Sequence, residues 1–131
     1  MNLEYLPEDV QFRQIRGIYL ESAGGMIRQL EESIWRCGGQ GLELHLSEIQ
    51  RVCHTLKGSS LQLGFDAIGK VAYWIELRSA RCLGSGRFSS DDREIIREGV
   101  AALTEMLRRV ERNENLPEAG TLCPRLQAEA A

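Results

Sequence analysis

The residues with the clearest chemical potential lie in the run Gln50-Arg51-Val52-Cys53-His54-Thr55-Leu56-Lys57-Gly58-Ser59-Ser60-Leu61. If the run is helical, each residue advances about 100° around the axis. Gln50, Arg51, Lys57, Gly58 and Leu61 then fall within roughly 60° of His54, and Ile49, Val52, Leu56 and Leu63 fall on the opposite side. The apolar side must face a core, so His54 is expected to face solvent. No carboxylate lies one turn away in the sequence. The neutral form of an imidazole so placed is expected to be well populated at pH 7, and in that form one ring nitrogen has a free lone pair. Lys57, one turn on, adds a mobile cation that can attract anionic oxygens. Gly58 leaves the backbone bare beside the ring. Glycine inside a helix costs stability, so close approach by a partner is a reason for it to be there. The arrangement reads as a positioned nucleophile for an anionic group.

Other chemistries are poorly represented. Cys37, Cys53, Cys82 and Cys123 are widely spaced, with no C-x-x-C pair, and read as reduced thiols. His45 and His54 are nine residues apart, which is not the i, i+4 spacing of a ligand pair, so no metal site is expected. Neither a glycine-rich nucleotide loop nor an acidic magnesium cluster can be placed, and no ATP site is expected. A net charge of -3 disfavours nucleic acid as a partner. The N-terminus MNLEYLPEDV lacks a secretory pattern, and no apolar run approaches the roughly 20 residues that span a bilayer, so no membrane is expected and the cytoplasm is the default location. Trp35, Tyr73 and Trp74 read as packing residues. Glu76 and Arg78 read equally well as a solvated face or as part of a partner surface.

Four amphipathic helices are expected to position His54. Phe12, Ile15, Tyr19, Ala23, Met26, Leu30 and Ile34 recur at steps of three and four, giving a first helix from about residue 8, with a kink or close contact at Gly24-Gly25. The glycines of Cys37–Gly41 make a turn. Ile49, Val52, Leu56, Ser60 and Leu63 give a second helix over roughly 42–63, closed by Gly64. Asp66 is expected to cap a third, carrying Ile68, Val71, Ala72, Ile75 and Ser79 and ended by Gly84-Ser85-Gly86. Ser89 or Ser90 caps a fourth, with Ile96, Gly99, Leu103, Met106 and Val110 facing inward. Period-2 alternation is absent. The expected fold is all-α: an antiparallel four-helix bundle of up-down topology over residues 1–113, with 114–131 as a flexible tail because two prolines interrupt it.

The run HTLKGSSLQLGF, His54 to Phe65, closely resembles the signature of histidine phosphotransfer (HPt) domains. The family pattern has leucine two residues after its histidine, lysine three on, glycine four on, two small residues, and glycine ten on. Here these are Leu56, Lys57, Gly58, Ser59, Ser60 and Gly64, and Phe65 stands where the family often has alanine. The resemblance covers roughly residues 8 to 112. It implies that His54 accepts a phosphoryl group from the aspartyl phosphate of a receiver domain and passes it to another receiver. The Mg²⁺ and most catalytic groups then belong to the receiver, and this chain needs no cofactor of its own. Gln50, Arg51 and Leu61 share the face of His54 and would contribute to docking.

Two alternatives remain open from sequence. One is a helical adaptor that carries no phosphate, against which His54, Lys57 and Gly58 argue together. The other is a dimerising bundle like the hairpins of sensor kinases, which usually precede an ATP-binding domain. The phosphotransfer reading expects a monomer, and Met1 with a loose tail fits a separate small protein.

Overall fold

The structure is a computed structural model and describes residues 8–130. Four long helices, α1 (Glu8–Arg36), α2 (Leu42–Gln62), α3 (Asp66–Ser85) and α4 (Ser90–Glu111), are followed by a 3₁₀ turn (Ala119–Thr121) and a short helix α5 (Pro124–Ala130). The connections between the long helices are too short for anything but antiparallel neighbours. Packing runs α1 on α2, α2 on α3, α3 on α4 and α4 back on α1, a closed square around one core. Leu30, Leu46, Ile49, Leu56, Ile68, Ile75, Ile96, Leu103 and Met106 are fully buried in it. The antiparallel four-helix bundle expected from the apolar period is therefore the fold. None of the described helices is long and apolar enough to cross a membrane.

The α2–α3 turn sets the geometry around His54. Gly64 adopts φ +82°, the left-handed conformation that ends a helix without steric cost. The Phe65 amide reaches back to the Ser60 carbonyl at 2.8 Å and the Gly64 amide to that of Leu61 at 3.1 Å, the paired bonds of a Schellman cap. Phe65 then stacks on Tyr19 of α1, ring centroids 5.0 Å apart. Asp66 does not cap α3, contrary to expectation. The chain passes from the Schellman turn directly into the helix with Phe65 at the cap position, and Asp66 serves as a first-turn acid. At α4 the capping box is complete: Ser89 Oγ accepts from the Asp92 amide, and the Asp92 carboxylate accepts from the Ser89 amide. Asp92 also accepts two bonds from the Arg78 guanidinium, at 2.9 and 2.7 Å, which ties α3 to the start of α4. Burial opposes ionisation of Asp92, but these bonds outweigh it and hold the carboxyl below its ordinary range.

Gly24 and Gly25 lie inside α1, which is one continuous helix over 29 residues, as expected. Two further expectations are corrected. Phe12, Ile15 and Trp35 are not core residues: all three are exposed, and so in large part is Tyr73. The reason for the first two is length. Tyr19 bonds to Ser60 near the end of the 21-residue α2, so the earlier turns of α1 outrun the helix that would cover them. Trp35 follows the buried Ile34 and, one residue further around the helix, points away from the core. Finally, the segment after 113 is not a loose tail. Ala119, Cys123 and Leu126 are buried at steps of four and three. Pro124 sits at the first helical position, where no donor is needed, so it starts α5 rather than breaking it. Leu126 fits where α4 has no side chain: a Cβ on Gly99 would stand 2.6 Å from it and 3.1 Å from Ile75. Arg125 faces Asp91, Glu94 and Glu98, and Glu129 faces Arg78 and Arg81.

The four cysteines are buried and unbridged. Burial, with a smaller push from Asp92 on Cys82 and from Glu98 on Cys123, raises those two thiols to about 11. Cys53 is raised further by complete burial and the charge of Glu76. A raised value keeps the unreactive thiol form at neutral pH. An aromatic disulfide reagent at pH 8 should therefore label these cysteines only as fast as the protein opens, and rapid labelling would contradict the packing. Leu126→Ala should release α5: hydrogen exchange of the Gln127–Glu129 amides speeds up, while the amides of α2 and α3 stay protected. A truly mobile tail would show no protection to lose.

Candidate functional site

His54 stands on α2 with its side chain 67% exposed, on the side opposite Ile49, Val52 and Leu56, as the helical angle requires. Its surroundings come from two helices. α3 lies very close to α2 because Gly69 has no side chain; a Cβ there would come within 2.8 Å of Leu61 and 3.5 Å of the Lys57 carbonyl. Two turns on from Gly69, α3 presents Glu76 to His54. One carboxylate oxygen of Glu76 lies 2.7 Å from His54 Nδ1, and the other accepts from Lys57 Nζ at 3.1 Å. Glu76 is thus a bridge between the two residues singled out by sequence, and its side chain is only 13% exposed.

The bridge fixes a tautomer. An ionised carboxylate can only accept hydrogen bonds, so Nδ1 carries the ring proton and donates it to Glu76. In the neutral ring Nε2, on the edge away from Glu76, then holds the lone pair. No carboxylate lies one turn away on α2, and the one that meets the ring comes from another helix, 22 residues away.

Lys57 is likewise not the mobile cation that was expected. Its side chain is 23% exposed, bound to Glu76, with Nζ 4.8 Å above the Tyr73 ring centroid. Ion pairing and cation–π contact together hold the ammonium in place. Glu76 uses one of its three donors, which leaves capacity for a second anion.

The other residues on this face divide. Around Gly58 the space is open, with no atom of the described residues within 4 Å of where a Cβ would stand, so no contact among those residues accounts for this glycine. Leu61 is an exposed apolar side chain that rests on Gly69. Arg51 is exposed but paired along its own helix with Glu48, whose carboxyl it lowers by hydrogen bonding. Gln50 is half-buried. His45 lies in the first turn of α2 against Gly41, apart from this group. Among the described residues no three His, Cys, Asp or Glu side chains group as metal ligands.

The sequence left Glu76 as a solvated face or part of a partner surface and Tyr73 as a packing residue, and gave neither a place beside His54. One signal was available: Ile75 faces the core, and Glu76, 100° further round α3, must flank it on one side or the other. Which side could not be read without knowing that α2 is the neighbour there.

A family model described as the Hpt domain matches residues 14–113. No curated protein and no solved structure matches the chain.

The tautomer assignment is open to measurement. Nitrogen NMR at neutral pH should find His54 protonated at Nδ1 and bare at Nε2. In Glu76→Ala the ring should revert to a mixture of tautomers. An unchanged spectrum in that variant would show that Glu76 does not hold the proton.

Proposed function

Because the chain belongs to the Hpt domain family, which serves histidine phosphotransfer in two-component signalling, we propose that His54 carries the phosphoryl group. It accepts the group from an aspartyl phosphate of a receiver domain and passes it to another receiver. The observation that supports this most directly is the exposed ring held by Glu76 through Nδ1, with Nε2 left bare.

The step balances without any group from a nucleotide. The Nε2 lone pair attacks phosphorus, the P–O bond to the receiver aspartate breaks, and that carboxylate leaves with the bonding electrons. The ring now bears the phosphoryl group on Nε2 and a proton on Nδ1, and so becomes cationic. The carboxylate at 2.7 Å offsets that charge, and in the reverse direction the ring leaves as the same neutral tautomer. Such transfers are governed by positioning and charge stabilisation, and a Mg²⁺ ion in the receiver supplies the rest. Lys57, held over Tyr73, turns its remaining donors to the phosphoryl oxygens. The open surface over Gly58 admits the receiver backbone, Leu61 gives an apolar contact, and Gln50 and Arg51 lie on the rim. In this reading the protein is a cytoplasmic monomer whose partners are receiver domains.

Incubation with a phosphorylated receiver and Mg²⁺ tests the assignment. His54→Gln should abolish labelling while the helical circular dichroism stays unchanged; label retained in that variant would place the phosphate elsewhere. Lys57→Ala should slow transfer about tenfold, the loss of one charge-assisted bond. Gly58→Glu should weaken receiver binding by bulk and charge. Glu76→Gln, which keeps an acceptor for Nδ1, should be milder than Glu76→Ala. Wild-type rates in all of these would mean that the neighbours of His54 are bystanders.

A further inference from the structure

A second recess lies across the bundle from His54. It is an open cleft of about 560 Å³ between α1 and α4, within the range of small-molecule sites. Every lining residue belongs to those two helices and none to α2 or α3, which build the His54 site.

Its lining has a definite chemistry. Trp35 stands at its edge with its side chain 80% exposed, a large flat ring left in water by a chain that buries its other apolar residues on α1 efficiently from Tyr19 to Ile34. Arg93 and Arg97, one turn apart on α4, face the cleft, and neither has a carboxylate partner among the described residues. Arg93 is set in advance. Its Nη1 donates to the Ile34 carbonyl at 2.8 Å, its guanidinium lies 5.4 Å over the Phe88 ring, and Gly38 makes room for it, since a Cβ there would be 2.9 Å from Nη2. Glu31, one turn before Trp35, is likewise unpaired, whereas Glu105 is taken up by Arg108 and Arg109. Three arginines against two glutamates make this lining locally positive in a chain of net charge -3.

A guanidinium held in place one turn from a second on the same helix suits an oxyanion, and a guanidinium fork fits phosphate oxygens in particular. An exposed indole offers a stacking plate for a planar ring. We infer that this cleft binds a nucleotide. The phosphates meet Arg93 and Arg97, the base lies against Trp35, and the Glu31 carboxylate accepts from the base edge. Guanine presents two adjacent N–H donors on that edge, whereas adenine sets an acceptor beside its single amino group, so a carboxylate favours guanine. The site is separate from phosphotransfer and shares no residue with it.

The test uses the intact protein with Trp74→Phe, so that fluorescence reports Trp35 alone, alongside calorimetry on the unmodified chain. Both are titrated with GTP, ATP and inorganic tripolyphosphate at about 0.1 M salt, where screening limits unspecific attraction. GTP should quench Trp35 saturably and release or absorb heat with the same midpoint. ATP should bind about tenfold more weakly, and tripolyphosphate should leave the fluorescence unchanged. Arg97→Ala should weaken GTP at least about tenfold, the worth of a charge-assisted bond, and leave transfer at His54 at its wild-type rate. The absence of saturable heat at millimolar GTP would overturn the proposal. So would equal binding of tripolyphosphate and GTP, or an Arg97→Ala variant that binds GTP like the unmodified chain. Equal affinity for ATP would remove Glu31 and the guanine assignment.

Discussion

A single nearly buried carboxylate organises the face of this bundle that carries His54. Glu76 reaches His54 and Lys57 only because α3 lies against α2 at the distance that a helix without a side chain at position 69 permits. A carboxylate removed from water is costly unless its oxygens are bonded, and here each oxygen has one donor from α2. The cost of burial is therefore what makes the geometry definite. With Glu76 in place, the neutral imidazole carries its proton on Nδ1, the ammonium is held over Tyr73, and the Nε2 edge of the ring lies away from Glu76.

The same helix is supported from behind. Ile75, the residue before Glu76, packs toward Gly99, and Leu126 of α5 fills the remaining space. Arg78, less than one turn later, joins the α4 capping box through Asp92 and also faces Glu129. The C-terminal segment lies beyond the residues matched by the family, yet it closes over the back of the element that carries Glu76. Docking of α5 and placement of the carboxylate thus act on one helix.

Glycines within the helices show how similar residues do different work. Gly69 and Gly99 are small because another part of the chain occupies the place of their side chains, Leu61 in one case and Leu126 in the other. Gly58 has nothing in that place. A helix-interior glycine is unfavourable by about 1 kcal/mol relative to alanine, so the open position beside His54 has no explanation in the packing of the described residues. That asymmetry separates a surface kept clear from a surface packed shut, and it supports reading the His54 face as one that another molecule approaches.

Sequence alone determined the helices, the direction in which His54 points, and the residues that share its turn of α2. These follow from a period of 3.6 and from caps such as Gly64 and Ser89, and all of them are local. It did not determine that Glu76 meets His54, that Lys57 is held rather than mobile, or that Phe12, Ile15 and Trp35 stay in water. It also misjudged the described segment 114–130, where Pro124 looked like a breaker and was a helix start. Each of these depends on which helix lies beside which and on where one helix ends relative to another. Side-chain spacing along one helix carries no information about that, because the core contacts that set it join residues far apart in the chain.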